Sequence, residues 1–179
     1  YSENEIYDLI LSPELDGIIL ISEAIINTDL QKRIKHNLES RNPIPVILIG
    51  TPLNSFDLSD LTVVNTDDEN DIEDITNHLI EAHGFTDIHI LTGHNFLEAS
   101  NLRVNGSKKS LEKHGIPFDS NKVFYGDFWM NSGTALACRY INGELKFPEA
   151  ILCTNDYMAY GLLDKFMECG IDIPDKVTV

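Results

Sequence analysis

A chain of 179 residues, 42% hydrophobic and 23% charged, is long enough to bury a substantial core and has the composition of an ordinary water-soluble globule. Its 13 basic residues stand against 29 acidic ones, and a formal charge of −16 makes the chain itself a poor surface for a phosphate backbone. No apolar run approaches the roughly 20 residues that span a bilayer, no basic-then-apolar leader opens the chain, and Cys138, Cys153 and Cys169, odd in number and without CxxC spacing, speak against a disulfide framework or a zinc site.

In chain order, Ile6, Leu9 and Ile10 carry helical spacing over residues 1–11, which lead through Ser12-Pro13 and Asp16-Gly17 into a strand over 18–21. Leu30, Ile34 and Leu38 form one stripe of a helix over 29–39, with Asn27 or Thr28 as its cap. A strand over 45–49 ends in the turn Gly50-Thr51-Pro52, residues 53–61 read as a loop, and a third short strand covers 62–65. The acidic run Asp67-Asp68-Glu69-Asn70-Asp71 precedes a helix over 72–83, where carboxylates at the positive end of the helix dipole are a sufficient explanation for it.

A strand over 88–91 then ends in Thr92-Gly93-His94 and is followed by Arg103-Val104-Asn105-Gly106 entering a helix. An arginine near a helix start meets an unfavourable dipole, so it either pairs at the surface with Glu98 or aims its guanidinium fork at ligand hydroxyls or a carboxylate. A strand over 123–125 leads into Gly126-Asp127-Phe128-Trp129, with Ser132 as the expected cap of a helix over 134–141. Residues 151–153 make a buried strand, Asn155-Asp156 cap a helix that stops at Gly170, and Pro174 stands ahead of a last strand over 177–179. The helix carries Met158, Leu162, Leu163, Phe166 and Met167 at helical spacing, so this segment is a βαβ unit.

The combination of Asn155-Asp156, Met158-Ala159, Gly161, a helix of fixed length and then Gly-Ile-Asp-Ile-Pro-Asp-Lys-Val-Thr-Val resembles the effector-binding domain of the LacI/GalR transcription regulators, a branch of the type I periplasmic-binding-protein fold. The resemblance implies an α/β fold of two lobes, with residues 1–66 a partial N-terminal lobe and 67–179 the C-terminal lobe. The first βαβ unit and the C-terminal segment of the family pattern are not in this sequence. It further implies that Arg103 and Phe128 contact a ligand and that Asn155 faces the cleft while Asp156 caps its helix; Trp129 is the next candidate for the stacking aromatic, and His94, at the exit of a strand, is placed to line the cleft. An aromatic plane suits the C–H face of a sugar ring, and an amide that donates and accepts suits a hydroxyl. Ser107 departs from the family, which has an aromatic residue there.

By the same resemblance the chain is a cytoplasmic sensor that binds a sugar or similar small metabolite, pairs as a homodimer and touches DNA only through a module outside these residues. No Gly-x-Ser-x-Gly elbow, Walker loop, GxGxxG, metal-ligand spacing or assignable acid and base is present, so no cofactor and no catalysis are expected. A periplasmic solute-binding protein of a sugar transporter is the alternative, distinguished by a secretion leader, and an α/β enzyme is a third, distinguished by turnover.

Overall fold

The computed structural model describes residues 9–10, 12–22, 25, 28–40, 42–50 and 61–179. The expected helix over 1–11 is described only at Leu9 and Ile10, and the cap at Asn27 or Thr28, the turn after Gly50 and the loop over 53–60 lie outside the described residues. The chain divides into two compact units, Tyr1–Thr66 and Asp67–Val179.

In the first unit, β1 (Ile18–Ile21), α1 (Thr28–Glu39), β2 (Val46–Ile49) and β3 (Leu61–Val64) build a parallel sheet in the order β1-β2-β3. The register sets Leu20 beside Leu48, and these two residues join Val46, Ile34 and Leu38 in one buried cluster. The stripe on α1 thus meets one face of the sheet, as helical and strand periodicities require when they share a core.

The second unit runs α2 (Asp68–His83), β4 (Ile88–Thr92), α3 (Glu98–Lys113), a short 3₁₀ turn (Ser120–Lys122), β5 (Val123–Tyr125), α4 (Met130–Ile141), β6 (Ala150–Cys153) and α5 (Asp156–Glu168), with a parallel sheet in the order β5-β4-β6. Its strands are covered on both faces, the arrangement that parallel pairing favours. Leu91 and Ile151 face Leu136, Met158, Leu162 and Phe166, while Ile88, Ala150 and Leu152 face Ile72 and Leu111. The expected α/β fold with parallel sheets flanked by helices is therefore present.

Three local expectations change. The helix expected over 72–83 begins earlier, at Asp68, so the acidic run forms its first turn as the dipole reading holds: Asp67 caps α2 by accepting from the Asn70 amide, and Asp68, Glu69 and Asp71 occupy that turn. The strand expected over 177–179 pairs only at Thr178, through one parallel bridge to Ala150. Ser107, whose departure from the family's aromatic suggested looser packing of its helix, is fully buried and accepts a hydrogen bond from Thr76 Oγ1 at 3.3 Å, so a small hydroxyl instead of a ring sits between α2 and α3.

His89 projects from β4 toward the α4 side, with Nδ1 2.6 Å from the Tyr140 hydroxyl and Nε2 3.7 Å from Asp87. A neutral ring protonated on Nε2 satisfies both neighbours. Burial lowers its pKa from 6.5 and outweighs the opposing pull of Asp87. The unfolded chain therefore binds this proton first, and its contribution to stability is complete above about pH 6.5 and declines as pH falls from there through the lowered folded value. Urea unfolding at pH 7.5 and 5.0 should show the loss, and His89→Gln should shrink it.

Candidate functional site

Because β4, β5 and β6 are parallel, their carboxyl ends open on one edge of the sheet, where ligands of open α/β folds are held. At that edge the Thr154 hydroxyl donates to Thr92 Oγ1 at 3.1 Å, and both residues are buried. The exits of β4 and β6 are thereby tied together before their loops diverge.

Arg103 reaches this edge from the second turn of α3. Nη1 donates to the Thr154 carbonyl at 3.0 Å and Nη2 to Asp68 Oδ1 at 3.2 Å, while the guanidinium carbon lies 5.6 Å from the Phe128 ring centroid. The side chains of Arg103 and Asp68 are 20% and 10% exposed, so their charges are little screened by water. The partner that justifies an arginine here is thus Asp68, the first residue of α2, and not Glu98.

Phe128 adopts φ +67°, a left-handed conformation rare in side chains larger than asparagine. Asn155 explains how it is held. Its amide nitrogen donates to the Phe128 carbonyl at 2.8 Å and its amide oxygen accepts from the Met158 backbone at 3.0 Å, capping α5. This corrects the expected division of labour: Asn155 is the cap, and Asp156 is the first helical residue. The Phe128 ring lies directly on the backbone of Gly93, where any Cβ would overlap it.

The loop that presents Phe128 is knotted by Asp127. Its carboxylate accepts from the Ser132 hydroxyl, from the Trp129 amide at 3.0 Å and from Asn131 Nδ2 at 3.1 Å. The Ser132 hydroxyl, followed by burial acting in the opposite direction and the other donors, leaves this carboxyl below the usual range, so it is ionised at neutral pH. Ser132 therefore serves the loop and is not the cap of α4, which begins earlier than expected, at Met130, with no side-chain cap.

His94 stacks on Phe96 at 4.9 Å, and Trp129 tilts against Tyr157 at 5.5 Å. The structure thus brings Arg103, Phe128 and Asn155 together and sets His94 and Trp129 in two separate aromatic pairs. Asp68 and Gly93 join the group unannounced. Gly93 had a signal in its position at a strand exit, but Asp68 was submerged in an acidic run. Among the described residues no group of three His, Cys, Asp or Glu side chains could hold a metal ion. Burial pushes the Cys153 thiol up to about 12, far from a thiolate nucleophile. Among the described residues no helix is long and apolar enough to cross a membrane.

Residues 76–179 match the family of periplasmic binding protein-like domains. The chain is 28% identical over 172 residues to the HTH-type transcriptional repressor PurR of Vibrio parahaemolyticus, covering 96% of this chain and 48% of that protein. It is 26% identical over 177 residues to catabolite control protein A of Staphylococcus epidermidis, covering 99% of this chain and 50% of that protein. The crystal structure of the transcription regulator CcpA of Lactococcus lactis superposes with a TM-score of 0.78 at 25% identity, over 98% of this chain and 60% of that one. The chain spans about half the length of the curated relatives it matches.

Proposed function

Since the chain belongs to the periplasmic binding protein-like domain family and is homologous to LacI-family repressors, we propose that it is the effector-binding part of a bacterial transcription regulator. Its relatives are regulators and not enzymes or transporter components, which favours sensing over turnover or transport. The observation that carries the reading is the convergence of a charged fork, an aromatic plane and an amide, Arg103, Phe128 and Asn155, on the carboxyl edge of one parallel sheet. These are recognition groups, and the ligand class they suit is a sugar or similar small metabolite with hydroxyls around an apolar face.

Signal transmission then follows from differential affinity: the ligand favours one conformation of the protein over another and changes the output of a DNA-binding module outside these residues. The compartment is the cytoplasm, where operator DNA is. His94 and Trp129 are assigned to the rim of the same site. Calorimetry with sugars and nucleosides on the full-length protein is the test. Phe128→Ala should weaken the best binder by about 1–2 kcal/mol through loss of stacking area. Asn155→Ala should cost the fold about 1–2 kcal/mol as a lost helix cap and loosen Phe128 at the same time. Unchanged affinity in both variants would remove the site.

Pairing of two copies has its own support. Met130 and Tyr160 are both exposed, on the neighbouring helices α4 and α5. Tyr160→Asp should shift the sedimentation coefficient of the protein toward that of a monomer, and an unchanged dimer would exclude this surface.

A further inference from the structure

Arg103 is the cation on which any reading of the ligand turns, and its charge is already answered from inside the protein. Nη2 meets a carboxylate oxygen of Asp68 at 3.2 Å, both side chains are largely buried, and Nη1 is committed to the Thr154 carbonyl. The strand-edge loops of this unit add no further lysine or arginine among the described residues 92–103, 126–130 and 154–157. They do add Glu98, Asp127 and Asp156, and Asp127 is held ionised by its hydrogen bonds. An anionic ligand would therefore meet an arginine already paired with Asp68, among loops whose other formally charged side chains are carboxylates. It would have to displace Asp68 from Arg103 or sit beside it, and a buried carboxylate stripped of its partner is costly.

We infer that this site selects an uncharged, hydroxyl-bearing ligand and rejects its carboxylate or phosphate counterpart, with Asp68 as the positioning and specificity-determining residue. This rests on the proposed ligand site and goes beyond it by naming the charge class. Asp68 acts in two ways. It fixes the guanidinium so that the remaining N–H donors present a rigid fork, and it cancels the charge that would otherwise draw anions.

The experiment is calorimetry on the full-length protein with matched pairs: glucose and glucuronate, galactose and galacturonate, ribose and ribose 5-phosphate, guanosine and guanosine monophosphate. For the pair that contains the best binder, the neutral member should bind at least about tenfold tighter, the ratio expected when one charge-assisted contact is opposed. Asp68→Asn, which leaves the Arg103 charge uncancelled, should narrow or reverse that ratio, whereas Asp68→Glu should keep it. Circular dichroism melting establishes that the variants are folded, and if Asp68→Asn is not, the ratio in the unsubstituted protein decides. Tighter binding of the acid or phosphate member would overturn the inference while leaving the site intact. A ratio unmoved by a folded Asp68→Asn would overturn the role of Asp68. Absence of binding by every member of every pair would withdraw the ligand site and the inference with it.

Discussion

Replacing Gly161 with alanine should destabilise the second unit by about 3 kcal/mol, at the upper end of overpacking costs, and lower its melting temperature by roughly 6–12 °C. The direction is not obvious from helix propensity, since glycine to alanine within an exposed helix gains up to about 1 kcal/mol. Here the clash decides. A Cβ on Gly161 would overlap the Met130 carbonyl oxygen, and a Cβ on Gly133 would overlap that of Met158, so both collide with backbone that no rotamer change can relieve. The two glycines let α4 and α5 touch main chain to main chain, and Thr134 reinforces the contact by donating to the Gly161 carbonyl at 3.2 Å. Forcing the helices apart also separates Phe128, just ahead of α4, from Asn155, at the start of α5, so ligand affinity should fall together with stability. Urea unfolding followed by far-ultraviolet circular dichroism measures the first effect and calorimetry the second. A Gly161→Ala protein as stable as its parent would mean that α4 and α5 are not in backbone contact.

That contact also explains where local reading of the sequence fails. Strands such as Ile88–Thr92 and Ala150–Cys153 were legible because a β-branched or aliphatic run bounded by polar residues has few other fates in an α/β chain. Helix α5 was legible because Met158, Leu162 and Phe166 recur on one face and all three are fully buried. The start of α4 was not. Asn131, Ser132 and Gly133 have the local preferences of a loop, yet they are helical because Gly133 is the residue that lets α5 approach and Ser132 has its partner in Asp127. Tertiary contact overrides propensity here.

The site shows the same boundary. Phe128 and Asn155 could be chosen because each lies just beyond a strand exit, and Arg103 because it stands at the family's spacing in the helix that follows β4. Their mutual arrangement could not. Asn155 and Asp156 are equally good caps in isolation, and the choice between them is made by the Phe128 carbonyl, 27 residues away in sequence, which engages the Asn155 amide nitrogen. Asp68 sits 35 residues from Arg103, in a run whose charge is already accounted for by a helix dipole, so nothing local marks it as the partner of the arginine. A pairing of this kind becomes visible only when the sheet brings the start of α2 and the second turn of α3 to the same edge.

Arg103→Ala should cost the fold about 1.5–3 kcal/mol, the range for loss of a charged hydrogen bond. Asp68 would remain in a site where its side chain is 10% exposed, having lost the guanidinium, and the Thr154 carbonyl would lose its donor at 3.0 Å. The cost is therefore that of a buried carboxylate deprived of this cation and not the net worth of the ion pair, and the two are separable. Arg103→Met with Asp68→Ala removes both charges while keeping much of the apolar volume, and a buried pair replaced in this way is often neutral in stability. The double variant should recover most of the loss, and in the cycle closed by Arg103→Met alone and Asp68→Ala alone the coupling free energy should be at least about 1 kcal/mol. On the proposed site it should not recover ligand binding, because the guanidinium is gone in both variants. Arg103→Lys discriminates further: it keeps the charge beside Asp68 but cannot reach the carboxylate and the Thr154 carbonyl in the same planar geometry, so it should retain more stability than affinity. A loss in the double variant equal to the sum of the two single losses would show that Asp68 and Arg103 are energetically independent, and the guanidinium fork of the proposed ligand site would then have no anchor in Asp68.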